Sequence, residues 1–427
     1  MRLVSNPALQ PGALFATLTL TASHQEDVPL RAARWHGRND VRVEDIPEPP
    51  TPPPGQVQVQ IAWCGICGTD LHELTAGPLY IPVDAPHPLT GVVAPVVLGH
   101  EVSGRVLAVG EGVEGLTVGD RVAACPIIGC GECASCRSGA MGQCDHVAFL
   151  GHSWSSGGFA ERANLFAYQC YRLPDGVTDA AGALVEPFSA TLKAVSRGEI
   201  GPGKKVAIVG AGPIGLLALQ AAMIAGAASV VSVEVVAHRR EVALRCGASA
   251  TLDPSAGDPA EQAAALTRGE GFDVVLECVG REATALLAAK LTRTLGRLVV
   301  MGVFPRPALF DYEDLVYKEK TVVGSMGGYG MYERAIEMMA DPRFRGEAMV
   351  TGRIALEDIG ERGFRPHLGG DDAGSLLGMP GDEPKGGGLF GRIRAIHRVD
   401  QNVGIKKTSS GHGFNGGNAK IFFLRMD

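Results

Sequence analysis

A chain of 427 residues, 45% hydrophobic and 20% charged, is long enough to bury two separate cores and too apolar to stay disordered over most of its length. Its formal net charge of −7 leaves no basic excess to neutralise phosphate backbones, and no run reaches the ~20 apolar residues of a membrane helix, so neither nucleic acid nor membrane is expected as a partner. Ten cysteines, crowded in one stretch and sparse elsewhere, suit metal thiolates in a reducing cytoplasmic setting better than the disulfide frame of a short secreted domain.

Residues 1–29 contain one apolar patch, Ala13–Leu20, which threonines interrupt, and it makes a poor secretory signal. They read as a disordered extension, and Leu30-Arg-Ala-Ala-Arg-Trp-His36 reads as the start of the folded chain. A strand follows over Arg31–Val43 and runs into the proline-rich Ile46–Gly55, which cannot be helix or central strand. Gln56-Val-Gln-Val-Gln-Ile61 alternates with period two and predicts a strand with one buried face. Gly99–Val109 and Asp120–Ala123 have similar β character, so the first 190 residues read mainly as β.

From Gly203 the pattern changes. Strands at Val206–Val209, Ser229–Val235, Asp273–Cys278, Arg297–Gly302 and Lys320–Gly324 alternate with helices at Ile214–Ala225, Arg239–Arg245 and Glu282–Leu291, which predicts a parallel sheet. Tyr332–Met339 reads as a further helix, and Gly352–Ile359 as a strand and turn returning to the first domain. Arg365–Asp427 is glycine-rich, keeps neither period, and is expected to hold little stable structure.

Two regions carry chemistry on their own residues. Val206-Ala-Ile-Val-Gly210-Ala-Gly212-Pro213-Ile214-Gly215 places a glycine fingerprint between an apolar strand and a helix. The first glycine permits the turn, the second lets a pyrophosphate approach the backbone, and the third lets helix and strand pack. Glu234 ends the next strand, where a carboxylate accepts from a ribose diol and repels a 2′-phosphate, so NAD is expected over NADP. Arg239 and Arg240 pull the other way. The second region, Cys130, Cys133, Cys136 and Cys144, has the spacing of a closed all-thiolate zinc site, whose role is folding rather than catalysis.

A looser set, Cys67, His100 and Glu186, lies far apart in sequence, each member flanked by turn residues rather than by helical periodicity. Three such ligands with the fourth place open would make a catalytic zinc. In order along the chain, Cys67-Gly-Thr-Asp-Leu-His72, Gly99-His-Glu101, the four-cysteine lobe, Glu186-Pro187 and the glycine fingerprint resemble the zinc-containing medium-chain dehydrogenases, over about Arg31–Phe364.

That resemblance implies an α/β protein with a mainly β, GroES-like catalytic domain (30–192, with the zinc lobe at 125–145, and a return at 326–364). A doubly wound Rossmann domain at 193–325 would carry the cofactor. It implies two zinc ions, one held by Cys67, His100 and Glu186, with Glu101 in or beside that shell and able to exchange with Glu186 or water. Asp70 would orient the histidine ligand, and Thr69 and His72 would begin and end a proton relay. The cofactor would meet Gly210, Gly212, Pro213, Ile214, Gly215, Glu234 and Arg239, in a dimeric or tetrameric enzyme.

The loop Tyr80–Pro95 resembles the butanediol-oxidising branch of the family, and no Lys or Arg lies between Gly68 and Gly99 to pair with an anionic substrate. A small neutral alcohol or vicinal diol is therefore expected, with threonine and sorbitol-type polyol dehydrogenases as the runners-up. A non-enzymatic nucleotide-binding protein would not need Cys67, Thr69, His72, His100 and Glu186 together. The family pattern breaks at Arg365-Pro-His-Leu-Gly-Gly370, which suggests a change of reading frame and a catalytic sheet left with an unpaired edge.

Overall fold

The computed structural model describes residues 29–368 and 421–426; the extension at 1–28 and most of the glycine-rich tail, 369–420, lie outside the described residues. Two large sheets organise the rest. The first is antiparallel apart from one parallel pair, in the order Cys170–Arg172, Arg121–Ala124, Glu101–Val109, Gln56–Gly65, Ile421–Arg425, Val350–Ala355. Arg162–Phe166 also pairs with Gln56–Gly65. As the alternation requires, Val57, Val59 and Ile61 are fully buried.

The second sheet has six parallel strands, ordered Ala250–Leu252, Ser229–Val233, Lys205–Val209, Phe272–Glu277, Thr292–Val300, Thr321–Gly324. Numbered within this sheet the order is 3-2-1-4-5-6, the doubly wound arrangement whose central crevice takes a dinucleotide. The helix Pro213–Ile224, apolar nearly all round, is buried over Leu216–Ala222. It packs against the helix Val185–Arg197, and Phe188, Leu192, Leu216, Leu219 and Tyr332 form one core between the two lobes.

Two helices that the β reading of the first 190 residues overlooked carry expected site residues. Gly68–Ala76 begins directly after Cys67, whose backbone N–H donates to Asp70 Oδ2 at 2.9 Å and so closes the helix start. Val185–Arg197 is amphipathic, with Val185, Phe188, Ser189, Leu192 and Val195 buried at helical spacing. Thr69 and His72 thus sit on a helix, as does Glu186, which its flanking turn residues had not suggested. The short first helix escapes a periodicity test because only nine residues and a single cap define it.

The expectation of an open sheet edge is also corrected. Ile421–Arg425 fills the place of a closing strand, parallel to Val350–Ala355 and antiparallel to Gln56–Gly65, with Phe423 opposite Gly65, Leu424 opposite Cys64 and Arg425 opposite Trp63. Phe423 and Leu424 are completely buried, on opposite faces of the sheet, one in the core between the lobes and the other in the core of the catalytic lobe. Phe423 meets the Trp63 ring edge-on at 6.4 Å, and the Arg353 guanidinium lies 5.8 Å from the centre of the same indole. The five residues Ile-Phe-Phe-Leu-Arg are a β run too short to stand out from the glycine-rich composition around them.

Truncating Phe423 to Ala in a fully packed strand should cost about 3–5 kcal/mol. Urea unfolding of the full-length variant is expected to show that loss, and an unchanged midpoint would mean that this strand does not close the sheet.

Candidate active site

The glycine turn has the geometry its three positions call for. Gly210 has φ of +97°, where a side chain is strained, and a Cβ there would meet the Val279 side chain at 2.5 Å. A Cβ on Gly215 would lie 1.8 Å from the Gly210 carbonyl oxygen, so only glycine lets the helix pack this closely on the turn. Gly212, the N-cap of Pro213–Ile224, faces open space, with nothing within 4 Å of where its Cβ would be. Pro213 opens that helix and Ile214 follows it.

The Glu234 carboxylate is almost fully buried and already accepts from two backbone amides, Ala211 N at 2.8 Å and Val236 N at 2.9 Å. It thereby ties the glycine turn to the end of the neighbouring strand. The Arg239 guanidinium lies 3.7 Å from its Oε2, while Arg240 is occupied by Asp253 at 2.8 Å and by the Glu234 and Val235 carbonyls.

A second set of groups meets beneath the catalytic sheet. Cys67 ends the turn after Gln56–Gly65; His100 follows Gly99, whose φ of +90° and contact with the Phe159 ring leave no room for a side chain; Glu101 begins the strand Glu101–Val109. Donor atoms of Cys67, His100 and Glu101 lie within 4.8 Å of one another. Glu186 is not one of this trio, but its charge, after burial itself, helps push the Glu101 carboxyl up to about 8. Burial raises Glu186 as well. Glu186 is expected as the ligand with Glu101 in or beside the shell, but the structure brings Glu101, not Glu186, together with Cys67 and His100.

Asp70 is fully buried with Oδ1 3.6 Å from His100 Nδ1, and neither atom has a hydrogen-bond partner among the described residues. Burial opposes charge on Asp70, but His100 and His152 outweigh it and hold the carboxyl below the ordinary carboxylate range. Burial likewise works against a charged His100, yet Asp70 and Cys67 keep its pKa well above the usual value. Burial raises the Cys67 thiol, with His100 opposing. A thiol, an imidazole and a carboxyl converging in a buried place are the donor set of a catalytic zinc with an open position, and a divalent cation would compensate their joint negative charge. The residues present therefore fit the metal.

Thr69 Oγ1 lies 3.5 Å from Cys67 Sγ, and His72 stands one turn further along the same helix, half-buried, its pKa lowered by burial. His152 was not singled out from the sequence. It follows Gly151 in the turn after Ala148–Phe149, its ring 5.1 Å from that of His100, and burial, then His100, push it down to about 4. A lone histidine in an aperiodic turn gives no sequence signal; only the fold sets it beside His100.

The four cysteines of the lobe also converge, with sulfur atoms within 4.8 Å of one another and no disulfide among them. Backbone amides point at the sulfurs: Cys133 N to Cys130 Sγ at 3.3 Å, Cys136 N to Cys133 Sγ at 3.4 Å, Cys130 N to Cys144 Sγ at 3.3 Å. Such donors favour thiolate, and the amides of Cys136 and Asp145 bring Cys133 down to about 6.

Comparison with known proteins places these features in context. Residues 213–341 match the family model described as zinc-binding dehydrogenase, and residues 53–175 match the alcohol dehydrogenase GroES-like domain. The chain is 40% identical over 335 residues to the (R,R)-butanediol dehydrogenase of Bacillus subtilis strain 168, covering 78% of this chain and 95% of that protein. It is 33% identical to a sorbitol dehydrogenase of Halalkalibacterium halodurans, over 76% and 91% of the two chains. The crystal structure of 2R,3R-butanediol dehydrogenase from Bacillus subtilis superposes with a TM-score of 0.75 at 39% identity, over 80% of this chain and 96% of that one. A zinc-binding dehydrogenase from Sinorhizobium meliloti 1021 bound to NADP gives 0.71 at 31% identity, over 84% and 97%.

Elemental analysis is expected to find about two zinc ions per chain, falling to about one in either Cys67→Ser or Cys133→Ser. The second variant should also unfold at lower temperature, because a closed thiolate site stabilises the fold directly. Two zinc ions retained in Cys67→Ser would remove that cysteine from the metal centre.

Proposed function

This chain belongs to the zinc-binding alcohol dehydrogenase family, and we propose that its site interconverts (R,R)-2,3-butanediol and acetoin by hydride exchange with NAD. The convergence of Cys67, His100 and Glu101 within 4.8 Å, from three separate segments, carries the reading. Zinc held there supplies the positive charge that lets an alcohol lose its proton near neutral pH, and the nicotinamide accepts the hydride.

The chain's own residues do the rest. Asp70, its Oδ1 3.6 Å from His100 Nδ1, stands charged against that side of the ring and leaves the other nitrogen for the metal. Glu186, a second carboxyl and only half-buried, would be the alternative donor to Glu101 for the metal. Thr69, against the Cys67 sulfur, takes up the alcohol proton at Oγ1, and half-buried His72 passes it towards water. Gly212 leaves the space for a pyrophosphate at the helix start. Glu234 favours a free ribose diol, hence NAD; Arg239 beside it would tolerate a 2′-phosphate. The catalytic unit takes in residues 30–192 and 326–364 together with the closing strand Ile421–Arg425, and the cofactor unit 193–325.

The lack of any cation from Gly68 to Gly99 and the two butanediol dehydrogenases at 40% and 35% identity support the neutral diol. The sorbitol dehydrogenase relative keeps a polyol as the second reading. Free cysteines in the lobe support a reducing, cytoplasmic setting, and among the described residues no helix is long and apolar enough to cross a membrane. The strand Thr321–Gly324 is one edge of the parallel sheet, and exposed Leu309, Tyr312, Val316 and Tyr317 precede it in the chain while exposed Val322 lies on it, which supports a homo-oligomer.

NADH formation with the separate stereoisomers of 2,3-butanediol tests the assignment. The (R,R) isomer should react fastest, and Cys67→Ser should lose at least about a thousandfold in kcat/KM, as expected when the metal that stabilises the developing alkoxide is lost. Faster turnover of sorbitol than of any butanediol would select the polyol reading. Light scattering should return a multiple of 44.6 kDa, and a single chain's mass would refute association through this edge.

A further inference from the structure

Glu73 is a completely buried carboxylate for which the chemistry above has no use. It lies on the helix Gly68–Ala76, one residue after His72, and points at the chain that follows rather than at the metal donors. Three successive backbone amides donate to it: Leu79 at 3.1 Å, Ile81 at 3.2 Å, and Tyr80, the shortest of the three. The helix itself is held from outside, since Trp35 Nε1 donates to the Glu73 carbonyl at 3.0 Å and Arg38 Nε to the Thr75 carbonyl at 2.6 Å. The approach is so close that a Cβ on Gly77 would lie 2.5 Å from Glu73 Oε2. Residues 79–81 are therefore cradled by a buried carboxyl group on a held helix, and the backbone of Tyr80 is fixed before any ligand arrives.

The Tyr80 ring stands beside His152, the neighbour of His100. The Tyr80 ring is edge-on to His152 at 5.9 Å and to Phe149 at 6.5 Å, and His152 in turn packs 5.1 Å from His100. Where His100, Glu101 and His152 are buried, Tyr80 is only half-buried, and among the described residues its hydroxyl has no hydrogen-bond partner. Burial, then the charges of Glu73 and Cys67, raise its pKa, so the phenol keeps its proton. A neutral phenol can both donate and accept, which suits a hydroxyl and a carbonyl oxygen alike.

We propose that Tyr80 is a specificity-determining residue, its hydroxyl hydrogen-bonding the second oxygen of a vicinal diol or α-hydroxy ketone while the first oxygen occupies the metal centre. The inference rests on the reading of the site as an alcohol dehydrogenase and adds how that site tells a diol from a simple secondary alcohol. Glu73 acts through Tyr80 as a positioning residue: it removes the loop's freedom in advance, so that the contact is made without an ordering cost on binding.

The test compares binding of (R,R)-2,3-butanediol and 2-butanol to the zinc-loaded full-length enzyme with a redox-inactive NAD analogue, by calorimetry, with turnover measured in parallel. The wild type should bind the diol about tenfold tighter than the mono-alcohol, and Tyr80→Phe, which keeps the ring, should bring that ratio close to one. Glu73→Gln, which replaces Oε2 by an N–H₂ facing the Leu79 amide, should erode the same ratio while leaving the zinc content unchanged. A ratio near one in the wild type, or one that Tyr80→Phe leaves intact, overturns the proposal. Absence of diol turnover alongside a binding ratio that collapses in Tyr80→Phe would instead count against the functional reading and leave the Tyr80 contact supported.

Discussion

The structure turns on a concentration of acidic donors packed largely out of solvent around one histidine. Cys67, Asp70, Glu101 and Glu186 surround His100, and burial is the leading influence on the protonation of each. No arrangement of protons satisfies all of them: Asp70 is held charged, Glu101 is driven towards its neutral form, and the two carboxylates Glu101 and Glu186 oppose each other. Such a cluster is costly in a protein without a cation and stabilising in one that holds it, and this is the physical basis for treating metal binding and folding of the catalytic lobe as one equilibrium.

Everything that positions this cluster is rigid backbone. The strand Gln56–Gly65 is central in the catalytic sheet and delivers Cys67 two residues beyond its end, while Glu101, at the start of the neighbouring strand, sits opposite Gly65. A Cβ on Gly65 would come within 1.9 Å of Glu101 Oε2, so the register of these two strands and the placing of a metal donor are one constraint. The terminal strand Ile421–Arg425 completes the other side of the same backbone, with Phe423 paired to Gly65. Through Phe423 the end of the chain also enters the core between the lobes, where Phe188 and Leu192 of the helix that begins with Val185 and Glu186 are packed. Sheet closure, lobe packing and the second carboxylate are therefore mechanically linked.

The cofactor side uses a different economy. Its glycine turn is shaped by what a Cβ would strike, and Glu234 spends both oxygens on backbone amides before any ribose arrives. A carboxylate so held presents a fixed charge at the crevice. It discriminates by electrostatics and position rather than by moving to meet its ligand.

Local signals were sufficient wherever one short segment contains the whole device. The glycine fingerprint, the four-cysteine lobe and the alternation of strands with helices after Gly203 were legible because turn geometry, thiolate spacing and hydrophobic period are properties of neighbouring residues. The sequence also named Cys67, His100, Glu101 and Glu186, but could not rank the two carboxylates, since their order depends on where a strand start and a helix start fall in space. His152 and the Glu73 cradle left no trace in any pattern, being single polar residues whose partners are rings and amides brought near by folding. The closing strand shows the same limit most plainly. Ile-Phe-Phe-Leu-Arg is a modest β run until residues 63–65 and 350–355 leave a slot of matching register, and only burial on both sides turns it into structure.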